Sequence, residues 1–216
     1  MTRVLRLQRD AHASNAFHYG ETAHADVVAS LANIGTAPAA AATERLLDSF
    51  EVHHVVVVGI AGGIDPALRI GELVVPEVVI DWSSGREYRP TSIGPVPARG
   101  GLITSDQLLY EEQTLAGLIR RGVVAVDMET AAVAAVCERR SVPWSVFRAV
   151  SDRAADAAVI DAGVMTMINP DGSARPRAML RYLVSRPHRI PHLVRLGRGS
   201  RNAARTAAAA AARALT

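Results

Sequence analysis

The sequence "HHVVVVGIAGGIDP" most constrains what this chain can fold into: four consecutive valines, residues 55–58, run into three glycines, Gly59, Gly62 and Gly63. A strand with one wet face alternates apolar and polar residues, whereas an unbroken apolar run of this length predicts a strand covered on both faces. "RGVVAVDMET" and "VPWSVFRAVSD" carry similar runs, and helix-like patterns stand between them. That alternation predicts an α/β fold in which helices cover both sides of a sheet. The chain has 216 residues, suits one domain and can bury a substantial core.

Other segments follow from local chemistry. Residues 26–35 read as a strand ending in a turn, and residues 36–50 as a helix capped by Thr36 with Pro38 in its first turn. The glycines after the valine run read as a turn in which the backbone approaches a neighbour or takes up positive φ. "GELVVPEVVID" is a strand or bent pair broken at Pro76, and residues 82–101 are a long exposed connection. "GLITSDQLL" reads as a short strand with a polar end, and "EEQTLAGLIRRG" as a helix closed by Gly122. Near the C-terminus, residues 177–187 form a short helix stopped by Pro187, and the alanine-rich residues 198–215 another.

Charge divides the chain. All 24 basic residues are arginine, which reflects codon usage more than chemistry. Ten of them follow Ser173, where no acid occurs, while residues 1–172 carry fourteen arginines against twenty-one acids. A basic tail on an acidic body is a solvated face, a surface that docks on the body itself, or a peripheral contact for an anionic membrane. Nucleic acid is not the expected partner, because no groove-reading or aromatic RNA motif accompanies the charge. The N-terminus lacks the apolar centre of a signal peptide, and no apolar run is long enough to span a bilayer. The single cysteine, Cys137, excludes an intramolecular disulfide framework and fits a cytoplasmic location.

Two carboxylates stand at the ends of buried strands: Glu129 in "AVDMETAAVAAV" and Asp152 in "FRAVSD". Each has a structural reading. Glu129 favours a helix N-terminus, and Asp152 caps a turn or pairs with Arg148 or Arg153. Their joint placement favours a site, since open α/β sheets bind ligands at the carboxyl ends of strands. Two carboxyls of different burial can be held in different protonation states, as displacement at a sugar carbon requires. Asp127 reads as a capping or structural carboxylate. Zinc binding at His188 and His192 is disfavoured by Pro191, and no serine-hydrolase triad or P-loop is present.

Taken together, "LANIGTAPAAAAT", "VVVVGIAGGIDPALRIGELVVPEVVID", "ITSDQLL" and "VAVDMETAAVAAVCERRSVPWSVFRAVSD" resemble the nucleoside phosphorylase/nucleosidase superfamily. The likeness spans roughly residues 19–155 in the family's order. It implies a three-layer α/β/α sandwich around a mixed, partly barrel-like sheet; residues 1–216 read as a single domain of this kind, and composition marks a helical Arg/Ala-rich extension from residue 173. It also implies a homodimer or larger homo-oligomer. The implied reaction is cleavage of the N-glycosidic bond of a purine nucleoside or 5′-substituted adenosine, by water or by phosphate as co-substrate. No metal or organic cofactor is implied.

By the same resemblance, Glu129 holds the ribose hydroxyls and Met128 packs on the sugar. Asp152, preceded by Ser151, protonates or hydrogen-bonds the purine N7. Gly59, Ala61 and Gly62 lie on the nucleophile's side, and Leu108 stands near the position that covers the base. Three departures accompany the likeness. The family's first strand-and-helix unit is missing ahead of "FHYGETAHADVV", or the start codon is assigned too late. Ile60 stands where Ser or Thr often contacts the nucleophile. The arginine-rich segment resembles instead the hopanoid-biosynthesis branch, whose members release adenine from an adenosyl-lipid. The first two departures motivate an alternative: a nucleoside-binding or regulatory homologue that has lost turnover.

Overall fold

A computed structural model describes residues 7–9, 17–22, 25–153 and 190–215, together with residues 169, 175, 181 and 185. Side chains of residues 190–193 lie outside the description, as do the zinc candidates His188 and His192 and most of the expected 177–187 helix. The three short strands β1 (Gln8–Arg9), β2 (His18–Glu21) and β3 (Asp26–Ala29) form one antiparallel sheet. The main sheet takes its strands in the order β5-β10-β4-β9-β8-β6-β7. These are β4 (Val55–Gly63), β5 (Leu73–Val74), β6 (Val78–Asp81), β7 (Glu87–Tyr88), β8 (Gly101–Thr104), β9 (Val123–Asp127) and β10 (Trp144–Arg153). Pairings β4/β10, β6/β8 and β8/β9 are parallel, and β4/β9, β5/β10 and β6/β7 antiparallel, so the sheet is mixed.

The valine run explains where the core sits. Val55 and Val57 point to one side, where they join Val146, Val150, Ala39, Leu47, Val133 and Ala134 beneath helices α1 (Thr36–Ser49) and α3 (Thr130–Arg139). Val56, Val58 and Ile60 point to the other side and meet Phe147, Ala149, Ala203, Ala207, Ala210 and Ala211. Ala203, Ala207, Ala210 and Ala211 belong to α4 (Ile190–Ala214), which lies along β10 and β4. Helix α2 (Glu112–Arg120) adds Leu115 and Leu118 to a cluster with Ile80, Ile103 and Val123. Both faces of β4 are therefore covered, the α1/α3 side buried and the α4 side half-buried, and the expected helix–sheet–helix layering holds.

Four local expectations are corrected. Gly59, Gly62 and Gly63 are not a turn: β4 runs through all three, and none has positive φ. They leave room for neighbours, since a Cβ on Gly59 would collide with the Arg148 guanidinium and one on Gly63 would come within 3.0 Å of Val150. The segment around Pro76 is a pair of strands, but β5 and β6 are separated by four others, with Pro76 fully buried between them. Thr36 does not cap α1; Gly35 (φ 102°) holds the cap position, and Thr36 N–H and Oγ1 donate to the Asp106 carboxylate at 2.8 and 2.5 Å. Finally, α4 starts at Ile190 rather than near residue 198, with Pro191 in the first turn where proline is tolerated. Gly197 and Gly199 both lie inside the helix.

Candidate active site

Strands β9, β4 and β10 bring their ends together in one row. Gly62 is the register partner of Val126 on one side and of Asp152 on the other. With neighbouring strands about 4.8 Å apart, Val126 and Asp152 lie about 10 Å from each other across the row. A bulge between Val150 and Asp152 shifts the register there and re-aims the side chains that follow. Glu129 stands three residues beyond Val126, at the N-cap of α3. A side chain on Gly62 would approach Val126 to 3.2 Å and the Asp152 carboxylate to 3.9 Å, so the bare glycine keeps the floor between the two acids open.

Glu129 is fixed from two directions. Its Oε1 accepts the Gly35 backbone N–H at 3.2 Å, and its Oε2 accepts Arg148 Nη2 at 3.2 Å. The same Nη2 makes a closer pair with Asp127 Oδ2, at 2.6 Å. Arg148 also donates through Nε and Nη2 to Thr130 Oγ1 at 3.2 and 2.9 Å, and through Nη1 to the Ile60 carbonyl at 3.3 Å. Asp127 in turn accepts Thr104 Oγ1 at 2.6 Å, the Thr130 N–H at 3.3 Å and the Thr130 hydroxyl. Arg148, Asp127, Thr104 and Thr130 are all buried, so this is a charged network inside the protein with its hydrogen bonds made. Burial raises the Glu129 carboxyl above the ordinary range; Arg148 opposes the shift, and the Asp127 charge adds to it.

The Asp152 half is tied down by its neighbour. Ser151 Oγ donates to Asp152 Oδ1 and lies 3.3 Å from the Ala61 carbonyl, which ties the end of β10 to β4. The structure thus gathers Gly59, Ala61, Gly62, Ser151, Asp152 and, through Arg148, Glu129. Met128 is half-buried beside Glu129. Leu108 follows the end of β8 and is exposed, while Leu109 packs inward on Ile64 and Leu115. A cavity of about 300 Å³ opens beside this group rather than within it. Its walls include Thr36, Asp81, Trp82, Tyr88, Asp106 and Gln107. Among the described residues no cluster of three His, Cys, Asp or Glu could hold a metal ion, and no helix is long and apolar enough to cross a membrane.

The sequence suggests Arg148 only as a partner for Asp152; in the structure its ion pairs join it to Asp127 and Glu129. A signal was available. An arginine in the middle of "VFRAV" must be buried, and a buried guanidinium needs carboxylates. Gly35 was likewise missed, because its N–H reaches Glu129 across 94 residues of chain.

A mixed sheet covered by helices, with carboxylates held near the ends of β9 and β10 on either side of β4, places the molecule among α/β proteins that bind ligands at the carboxyl edge of the sheet. The comparisons narrow this. The sequence profile of the phosphorylase superfamily matches residues 5–98 and 90–169, and the chain belongs to that family. A 5′-methylthioadenosine/S-adenosylhomocysteine nucleosidase of Marinomonas sp. is 32% identical over 166 residues, covering 63% of this chain and 72% of that protein. A nucleosidase of the same name from Mycobacterium bovis is 26% identical over 226 residues, covering 82% and 88%. Among solved structures, the nucleosidase of Neisseria meningitidis in complex with methylthio-immucillin-A superposes with a TM-score of 0.71 at 19% identity, over 98% of this chain and 92% of that one. The Colwellia psychrerythraea nucleosidase, in complex with adenine, gives 0.69 at 24% identity, over 97% and 85%. These likenesses support the three-layer fold.

Proposed function

We propose that this protein is a nucleosidase that hydrolyses the N-glycosidic bond of a 5′-substituted adenosine. The observation that carries the reading is the placement of Glu129, clamped between the Gly35 N–H and Arg148 just past the end of β9, with Asp152 near the end of β10 across the intervening β4. The names of its relatives favour water over phosphate as nucleophile.

The reaction breaks the bond between ribose C1′ and purine N9. Asp152, steadied by the Ser151 hydroxyl, donates a proton toward N7, so the bonding electrons leave with a neutral base. Positive charge grows on the sugar. The ionised Glu129 accepts hydrogen bonds from the ribose hydroxyls and stabilises that charge, and Arg148 keeps its carboxylate from turning away. Met128 packs on the sugar, and Leu108 covers the base by aliphatic contact. Water enters from the side of Gly59, Ala61 and Gly62, bonds to C1′ and loses a proton to solvent. Neither metal nor organic cofactor takes part, and the working form is a cytoplasmic homo-oligomer.

Chromatography of free base from a nucleoside panel, with and without phosphate, tests the reaction. Adenine release from 5′-substituted adenosines in phosphate-free buffer is the expected result. Release that depends on phosphate overturns the nucleosidase reading, and binding of adenosine analogues without release marks a regulatory homologue. Asp152→Asn should lower kcat by about 10²–10⁴-fold while the far-ultraviolet dichroism is unchanged. Wild-type turnover in that variant removes Asp152 from the mechanism.

A further inference from the structure

Helix α4 has two unlike faces. Gly199, Ala203, Ala207, Ala208, Ala210 and Ala211 are buried, and Gly199 sits so close to β10 that a Cβ there would lie 2.5 Å from the Ser151 carbonyl oxygen. Arg195, Arg198, Arg201 and Arg205 are exposed. At 3.6 residues per turn they fall within an arc of about 120°, on the side away from the alanine seam, and extend for about 15 Å. None of the four takes part in an ion pair among the described residues, although the rest of the described surface pairs its arginines repeatedly, as Arg139 and Arg140 do with Glu44 and Asp48.

We propose that this arginine row is a docking surface for an anionic lipid bilayer, on which α4 lies flat. Three observations select a bilayer from among polyanions. The row is straight and belongs to a helix anchored along its length to the sheet, so the charges meet a plane together. An exposed large apolar side chain, Val194 (46% exposed), lies at its N-terminal end within the same arc. Basic charge beside shallow apolar contact is the pattern of an interfacial helix, whereas a single-strand nucleic-acid groove would need stacking aromatics, which this face of α4 lacks. The charge of the whole chain also selects the orientation. Residues 1–172 carry an excess of acid and are repelled by an anionic surface, which turns the basic helix toward it.

The full-length protein is to be co-sedimented with vesicles of phosphatidylcholine alone and of phosphatidylcholine with 30 mol% phosphatidylglycerol. A triple variant, R198Q/R201Q/R205Q, and a control on α2, R120Q/R121Q, are run alongside. Binding is expected only with the anionic vesicles, weakened on the order of 100-fold in the triple variant and retained in the control. It should fall steeply between low and high salt. Equal binding to both vesicle types, or wild-type binding by a triple variant of unchanged melting temperature, overturns the proposal. Retention on a DNA or RNA oligonucleotide without vesicle binding overturns it in favour of nucleic acid.

Discussion

Helices α3 and α4 are both built on alanine and lie on opposite faces of the same sheet, yet they treat charge in opposite ways. Beneath α3, Arg148 is taken out of water and satisfied by Asp127, Glu129, Thr130 and the Ile60 carbonyl. On α4, Arg195, Arg198, Arg201 and Arg205 stay in water, and Gly199 and the alanines lie against the sheet. The contrast shows what small residues do in this fold. They bring a helix axis close to the sheet, and what the helix carries then depends on which way its polar side chains point. At α3 the closeness seals a charge network behind a ligand edge. At α4 it leaves a row of cations standing clear.

Removing one member of the buried network should have the largest effect on this contrast. Arg148→Met strands Asp127 and Glu129 in the interior, and denaturant unfolding should show a loss of about 3–5 kcal/mol. Adding Asp127→Asn to that variant should recover part of the loss, because the uncompensated charge is gone. If the single variant unfolds like wild type, the network contributes nothing to the fold.

Two glycines of α4 test how tightly the other face is seated. Alanine is worth about 1 kcal/mol over glycine inside a helix. Gly197 has nothing within 4 Å of its absent Cβ, so Gly197→Ala should raise the melting temperature. Gly199→Ala should lower it, since backbone rather than a movable side chain stands in the way. Equal stabilisation by both would mean that α4 does not bear on Ser151.

The smallest effect separates the buried acid from ordinary surface acids. The raised pKa of Glu129 means that its ionisation opposes folding. Its contribution to stability is full below the unfolded value, near that of any glutamate, and is lost as pH rises through its own higher value. Wild type should therefore lose stability relative to Glu129→Gln as pH climbs through that window. Paired unfolding curves from pH 4 to pH 7 will read it, and a difference that is flat or grows with pH contradicts the assignment.

The elements were legible where local pattern and burial agree. The valine run marks β4, "VVAVD" marks β9, and the positions of Gly122 and the terminal alanines mark helix ends and faces. Glu129 and Asp152 could be picked out as well, since acids at the ends of apolar strands stand out in any sequence. Less could be read of what surrounds them. The glycines of β4 look like a turn because nothing local says that Arg148 and Val150 need their space. Residues 71–81 look like a strand or a bent pair, with nothing local to say that four strands come between the halves.

By itself, then, the sequence determined that this chain builds a sheet covered on both faces, and that carboxylates stand at the ends of its strands. Composition alone also separated an acidic body from a basic tail. Only the tertiary structure decided which partner each charge meets. Gly35, Asp127 and Arg148 converge on Glu129 or its immediate neighbours through register between strands far apart in sequence, and α4 seats its alanines against β4 and β10. Periodicity is a property of neighbours along the chain. Pairing depends on the distances that packing sets, and those exist only once the strands have found their order.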